Sequence, residues 1–428
     1  MAKMDERDRD GSRSGGKMPP LPKFADMEGA GHETPSWNHL AYLFCFAGIV
    51  IVIGIGLIAF DYVVAGVITI IVAIALVVAL FVEADRFAVT FLARKDPRPP
   101  SAELTAALEG DDADARHAAE KEVALGGLLA DGDGGPMATF NSALTKEEAA
   151  KVMSTRAAEA DSTWTWLEGL GGPDVIGSVE TSSDDGCHLA GHVLVIDPDS
   201  KHWVILVHGF GGAWKEGMLY ARHYAERGYN MLFCEMRGHD SSGGPLIGMG
   251  WPDRRDLVAW AEWLVAEKGD DVEVVLHGHS MGGASVCMAA GESDLPSQVK
   301  AAVSDCAYSD LWNELACIVK GGMGLSVHPL MDAMRLCLMR HDGGYDVAKV
   351  SPEDAVSHSR VPVLLIHGEQ DTFVPPYMAK RLADACGGAA AHDGHELVMM
   401  PGAGHCQSSF ADPFTYYSRL FFFLERFI

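Results

Sequence analysis

The chain has 428 residues, 48% hydrophobic and 8% aromatic, which excludes a disordered or collagen-like polymer. Its 33 basic and 59 acidic residues leave a formal charge of −26. That balance excludes nucleic-acid binding, which needs a basic patch to neutralise phosphates, and docking on anionic lipid by charge alone.

In chain order, residues 1–36 are polar, charged and rich in Gly and Pro, and predict a disordered tail. From Leu40 to Val82 the only charge is Asp61. A bilayer core of about 30 Å takes roughly 20 helical residues to cross, and this run is about twice that length. It predicts a membrane unit over 37–83 with two transmembrane helices, about 39–60 and 63–82, turning tightly at Asp61-Tyr62. A signal peptide fits poorly, because its apolar core is only about 7–15 residues. Lys3, Arg7, Arg9, Arg13, Lys17 and Lys23 precede the run, and Arg86, Arg94, Lys95 and Arg98 follow it. By the positive-inside rule both ends lie in the cytoplasm, with the rest of the chain a cytoplasmic domain tethered to the cell membrane.

Residues 84–165 predict a juxtamembrane segment, an acidic spacer over 101–135 with little to bury, and a helix starting at the capping-box pattern Thr145-Lys146-Glu147-Glu148. From 166 to 428 apolar runs alternate with helical stretches. Strands are expected at 175–181, 188–196, 203–208, 229–235, 272–277, 300–304, 361–366 and 395–400, the first two as a hairpin. Nearly continuous apolar strands separated by amphipathic helices indicate a mostly parallel sheet covered on both faces, with its active site at the carboxyl ends of the strands.

The polar motifs fall at those ends. Val272 to Gly283 reads strand, then Gly278-His279-Ser280-Met281-Gly282, then helix. Such a turn is so sharp that the positions two before and two after the serine must be small, and it lifts the hydroxyl to a helix N-terminus. Ser280 is the candidate nucleophile. A serine needs a base, and the base an acid to orient it. His405 lies in the loop Pro401-Gly402-Ala403-Gly404-His405 after the last strand, and Asp371 lies just past the strand 361–366. Asp305, at the end of the strand 300–304, is the alternative acid. The oxyanion needs two amide donors. Met281, directly after the nucleophile, offers one, and Phe210 in the loop His208-Gly209-Phe210-Gly211-Gly212 offers the other. That loop has no Walker lysine-serine pair and no G-x-G-x-x-G, so nucleotide binding is not expected. Nine cysteines show no CxxC pair and no Cys/His cluster at zinc spacing, so no metal site is expected either.

These motifs, together with Arg237-Gly238-His239, Gly248-Met249-Gly250-Trp251 and His367-Gly368-Glu369, resemble the α/β-hydrolase superfamily. More narrowly the chain is similar to membrane-anchored bacterial serine hydrolases of the monoacylglycerol-lipase-like and cinnamoyl-esterase branches, including domains labelled serine aminopeptidase-type. The resemblance covers about residues 166–428. It implies an eight-stranded sheet, a Ser280–Asp371–His405 triad and no metal or organic cofactor. Asp240 stands where that pattern usually has glycine. Residues 308–357, with Trp312, Met323, His328, Met331, Met334, Leu336 and Met339, are too long for a simple crossover and are expected to cap the site. The expected activity is cleavage of small-molecule or lipid-like carboxylic esters through an acyl-enzyme. An amidase, peptidase or thioesterase with the same triad, or a non-catalytic membrane scaffold, are the alternatives. Acyl length, leaving group and oligomeric state carry no sequence signal.

Overall fold

The computed structural model describes residues 38–428 except 61, 96–101, 111, 125–142, 323, 342 and 388–393. The N-terminal tail expected over 1–36 and the turn residue Asp61 therefore lie outside the described residues.

Two long apolar helices come first, α1 (Asn38–Ala59) and α2 (Val63–Leu92), each long and apolar enough to cross a membrane. Their backbones approach closely where Gly54 meets Gly66: a methyl group on Gly66 would lie 2.3 Å from the Gly54 carbonyl oxygen. Small residues permit such contact where no hydrophobic drive separates helix from lipid. Helix α2 continues ten residues past the expected end at 82. The extension is amphipathic, with Ala84, Ala88 and Leu92 buried at fourfold spacing. Its end is stitched to the domain: Ile247 N–H donates to the Leu92 carbonyl at 2.8 Å and Lys95 N–H to Gly238 at 2.7 Å. Helices α3 (Ala102–Glu109) and α4 (Ala113–Ala124) follow, with Ala119 buried and Lys121 paired to Asp161 of α5 (Lys146–Leu170). Thr145 caps α5 through the reciprocal bonds of a capping box with Glu148.

The remainder is one eight-stranded sheet: β1 (Gly177–Ser182), β2 (His188–Leu194), β3 (His202–Val207), β4 (Asn230–Cys234), β5 (Glu273–His279), β6 (Val299–Asp305), β7 (Val363–Gly368) and β8 (Glu396–Met400). Their order is β1-β2-β4-β3-β5-β6-β7-β8. Strand β2 is antiparallel to both its neighbours and all other pairs are parallel. Helices α6 (Met218–Ala225), α7 (Asp253–Lys268) and α8 (Met281–Ala290) cross between strands. The apolar runs are continuous because both faces are covered. Alternate residues feed separate cores: Trp203, Ile205 and Val207 enter one, Val204 and Leu206 the other. This is the architecture the motifs implied, with order reversing around β3 so that loops leaving β3 and β5 flank one crevice.

Between β6 and β7 lies the insertion expected to cap the site, built of α9 (Leu311–Cys317), a π turn over Ile318–Gly322, α10 (Leu330–Leu338) and α11 (Pro352–Val356). Trp312, Met331 and Met334 are buried, Leu336 partly so, and Met339 is exposed; Met323 lies outside the described residues. The cap rests on the extension of α2, where Ala88, Phe91 and Leu92 meet Met331, Met334 and Leu338. His341 is 2.6 Å from Asp85 across the same seam. Helices α12 (Tyr377–Cys386), α13 (Ser408–Ala411) and α14 (Pro413–Leu424) complete the domain.

Candidate active site

Strand β5 ends in the turn that carries Ser280, whose backbone sits at φ +54°, ψ −123° as the residue preceding α8. That strained conformation is possible because the flanking glycines let three backbone segments touch. A methyl group on Gly278 would lie 2.3 Å from the Gly282 carbonyl oxygen, and one on Gly282 would lie 2.3 Å from that of Val207. The turn therefore demands glycine at both positions for steric reasons.

His405 Nε2 lies 2.8 Å from Ser280 Oγ, and His405 Nδ1 lies 2.7 Å from Asp371 Oδ2. All three are largely buried, at 9%, 7% and 2% exposure for His405, Ser280 and Asp371. The other Asp371 oxygen accepts from the amides of Phe373 and Val374, each at 2.9 Å, so the carboxylate is fixed in place. Gln370 ties this turn to the histidine loop: its side-chain oxygen accepts from Gly402 N–H at 2.6 Å. With Nδ1–H donated to Asp371, the His405 imidazole holds a lone pair on Nε2 towards the serine hydroxyl. Burial opposes protonation of His405, but the Asp371 charge, the neighbouring Cys306 and the Asp371 hydrogen bond together outweigh it and raise its pKa above the usual histidine value.

Asp305 is not brought to His405. Its Oδ1 accepts from Ser408 Oγ at 2.9 Å, and its backbone carbonyl accepts from Ser280 N–H at 2.8 Å. Burial lifts its carboxyl to about 6. The aspartate thus braces the serine turn from below. Among the described residues the amides of Phe210 and Met281 donate no backbone hydrogen bond outside helices and strands. The Phe210 ring stacks on Phe91 of α2 with centroids 4.8 Å apart, placing the helix end against the glycine-rich loop. His208 holds that loop, with Nε2 accepting from Met236 N–H at 3.0 Å. Asp240 takes the positive φ of +41° that the missing glycine required.

Three features escaped the motifs. His279 Nε2 lies 2.8 Å from Glu216 Oε2, pinning the residue before the serine to the loop after β3. Glu314 of the cap is 2% exposed, and neither of its carboxyl oxygens has a hydrogen-bond partner among the described residues. Cys306 and Cys406 place their sulfurs 3.5 Å apart beside His405. None of these has a local signature: the His279–Glu216 and Cys306–Cys406 contacts join segments distant in sequence, and the burial of Glu314 is set by packing around it.

Residues 219–428 match the model of the prolyl oligopeptidase family. The uncharacterised protein YqkD of Bacillus subtilis is 25% identical over 241 residues, 56% of this chain and 75% of its own. Among solved structures, the esterase Pf2001 of Pyrococcus furiosus aligns with a TM-score of 0.48 and 22% identity, covering 59% of this chain and 91% of that one. The acylaminoacyl peptidase of Pyrococcus horikoshii aligns with a TM-score of 0.43 and 18% identity, over 59% and 42% respectively.

Proposed function

We propose that the chain, whose residues 219–428 match the prolyl oligopeptidase family model and whose eight-stranded sheet has the α/β-hydrolase strand order, is a membrane-anchored serine hydrolase cleaving carboxylic esters. One observation carries the reading: the unbroken relay Asp371–His405–Ser280, with both hydrogen bonds at 2.7–2.8 Å. In this mechanism His405 takes the Ser280 proton as Oγ attacks the acyl carbon. The oxyanion settles on the amides of Phe210 and Met281, and His405 returns the proton to the leaving group. Water then repeats the sequence in reverse roles and frees the acid. Asp371 keeps the imidazole in the right tautomer and balances the imidazolium.

The match to the prolyl oligopeptidase family favours a second reading, amide or peptide cleavage by the same residues. Both bonds pass through an acyl-enzyme, so matched ester and anilide substrates with one acyl group separate them. The hairpin α1–α2 is the anchor in this proposal, with the catalytic domain on the cytoplasmic side.

A fluorophosphonate probe applied to membranes bearing the full chain tests the proposal. Wild type should label and Ser280→Ala should not, while Asp305→Asn should still label. A folded wild-type chain that resists the probe and turns over neither ester nor anilide would remove the hydrolase assignment and favour a scaffold.

A further inference from the structure

Of the five non-glycine residues with positive φ among the described residues, three meet at one place: Ser280 at +54°, Cys306 at +48° and Cys406 at +55°. Strain of this kind in a folded chain is a reason to look for function. Cys306 is the residue directly after β6, and Cys406 is the residue directly after His405. Both thiols are free. Their sulfurs lie 3.5 Å apart, and these two atoms and a ring nitrogen of His405 all lie within 4.8 Å of one another.

We propose that Cys306, Cys406 and His405 form a binding site for a thiophilic divalent cation of the zinc type, and that its occupancy switches the hydrolase off. The spacing suits the ion. Two sulfurs bonded to a tetrahedral zinc at about 2.3 Å stand about 3.8 Å apart, so closing the site needs only a few tenths of an ångström from the present separation. Two thiolates and one imidazole are a known zinc donor set, with a fourth position left for water or Ser280 Oγ. The outer support is present as well. A zinc-bound histidine donates its other N–H to a carboxylate, and His405 already gives Nδ1 to Asp371. Burial also favours the ion over a lone charge: two protons leave the thiols for solvent, and the dication with two thiolates is neutral overall. Magnesium and calcium, which take oxygen ligands, do not fit.

The consequence follows from lone pairs. With Nδ1 committed to Asp371, Nε2 is the nitrogen that ligates the ion, and it is the atom the mechanism needs for the Ser280 proton. The inhibitory half therefore rests on the hydrolase reading, whereas the metal site itself does not.

The test uses the full chain in detergent with a non-thiol reductant. Cobalt(II) titration should produce a near-ultraviolet sulfur-to-cobalt charge-transfer band that saturates at a single equivalent and is displaced by zinc. Ser280→Ala should keep that band, which makes the readout independent of turnover. Zinc, and not magnesium, should inhibit wild type reversibly to a chelator. Cys406→Ser should lose the band and raise the half-inhibitory zinc concentration by at least roughly tenfold. Absence of the band in wild type overturns the site. A band without inhibition, or equal zinc sensitivity in wild type and Cys406→Ser, overturns the switch. Should the Cys406→Ser chain fail to fold, protection of Cys406 from alkylation by zinc in wild type decides the same question by mass spectrometry: protection supports the site, and unchanged labelling overturns it.

Discussion

The two aspartates at neighbouring strand ends differ in what they can reach. Asp371 touches His405 Nδ1, while Asp305 is spent on Ser408 and on the turn beneath Ser280. Asp371→Asn should therefore lower kcat by about 10⁴-fold, the loss expected when the imidazole is left in the wrong tautomer. Asp305→Asn should stay within roughly tenfold of wild type, since it alters a support and not the proton path. Steady-state rates on one activated ester compare them directly. Glu314 gives a prediction of another kind. Burial is the largest influence on its carboxyl; His405 opposes, Asp371 and Asp310 add to it, and the pKa stands well above the ordinary 4.5. A folded-state pKa above the unfolded one means that the stability linked to this proton is fully present below about 4.5 and is lost as pH rises through the folded value. Glu314→Gln should thus gain stability over wild type at pH 8, with the gain shrinking towards pH 4.5. Urea denaturation at both ends of that range checks it, and an equal difference at the two pH values would show that Glu314 is ionised and paired in the fold.

At the scale of elements, the serine turn depends on contact between backbones and the α5 start on side-chain capping. Gly278→Ala forces a methyl group into the Gly282 carbonyl, an atom of the main chain that has no rotamer to yield. The substitution should destabilise by about 1–3 kcal/mol from overpacking and abolish probe labelling with it. Thr145→Ala should remove about 1 kcal/mol, because Thr145 Oγ1 accepts from Glu148 N–H and Glu148 returns a bond to the Thr145 amide. A thermal melt that matches wild type would mean that α5 is held by Trp164 and Leu167 in the core without help from its cap. The juxtamembrane end of α2 is helical where the apolar signal stops, since Ala84, Ala88 and Leu92 bury against the cap. The acidic stretch after it also finds partners: α4 lays Ala119 inside and pairs Lys121 with α5. Composition suggested a solvated spacer there, and the described part has a packed face.

For the molecule as a whole, the hairpin is continuous with the catalytic domain. Helix α2 passes from an apolar span into the cap seam and ends against Phe210, so apolar hairpin, cap and glycine-rich loop form one packed unit. Under the proposed orientation a C-terminal tag on the full chain should resist protease added to intact spheroplasts and be degraded in inverted vesicles. The opposite accessibility would reverse the side assigned from the Lys and Arg positions.

Sequence alone determined the elements and the candidate site residues at their ends. Nearly continuous apolar runs marked six of the eight strands because a sheet covered on both faces has no polar side, the Asp185-Gly186 turn marked the hairpin of the first two, and Gly278 and Gly282 marked the serine turn because only small residues fit there. His405 was legible from its glycine loop and its order after Asp371. Pairings that depend on which strands lie side by side were not. Asp371 against His405 in place of Asp305, His279 against Glu216 and the sulfurs of Cys306 and Cys406 all join residues of separate segments. Local periodicity reports on burial along one segment and not on its neighbours, so those meetings were decided only when the strand order brought the segments together.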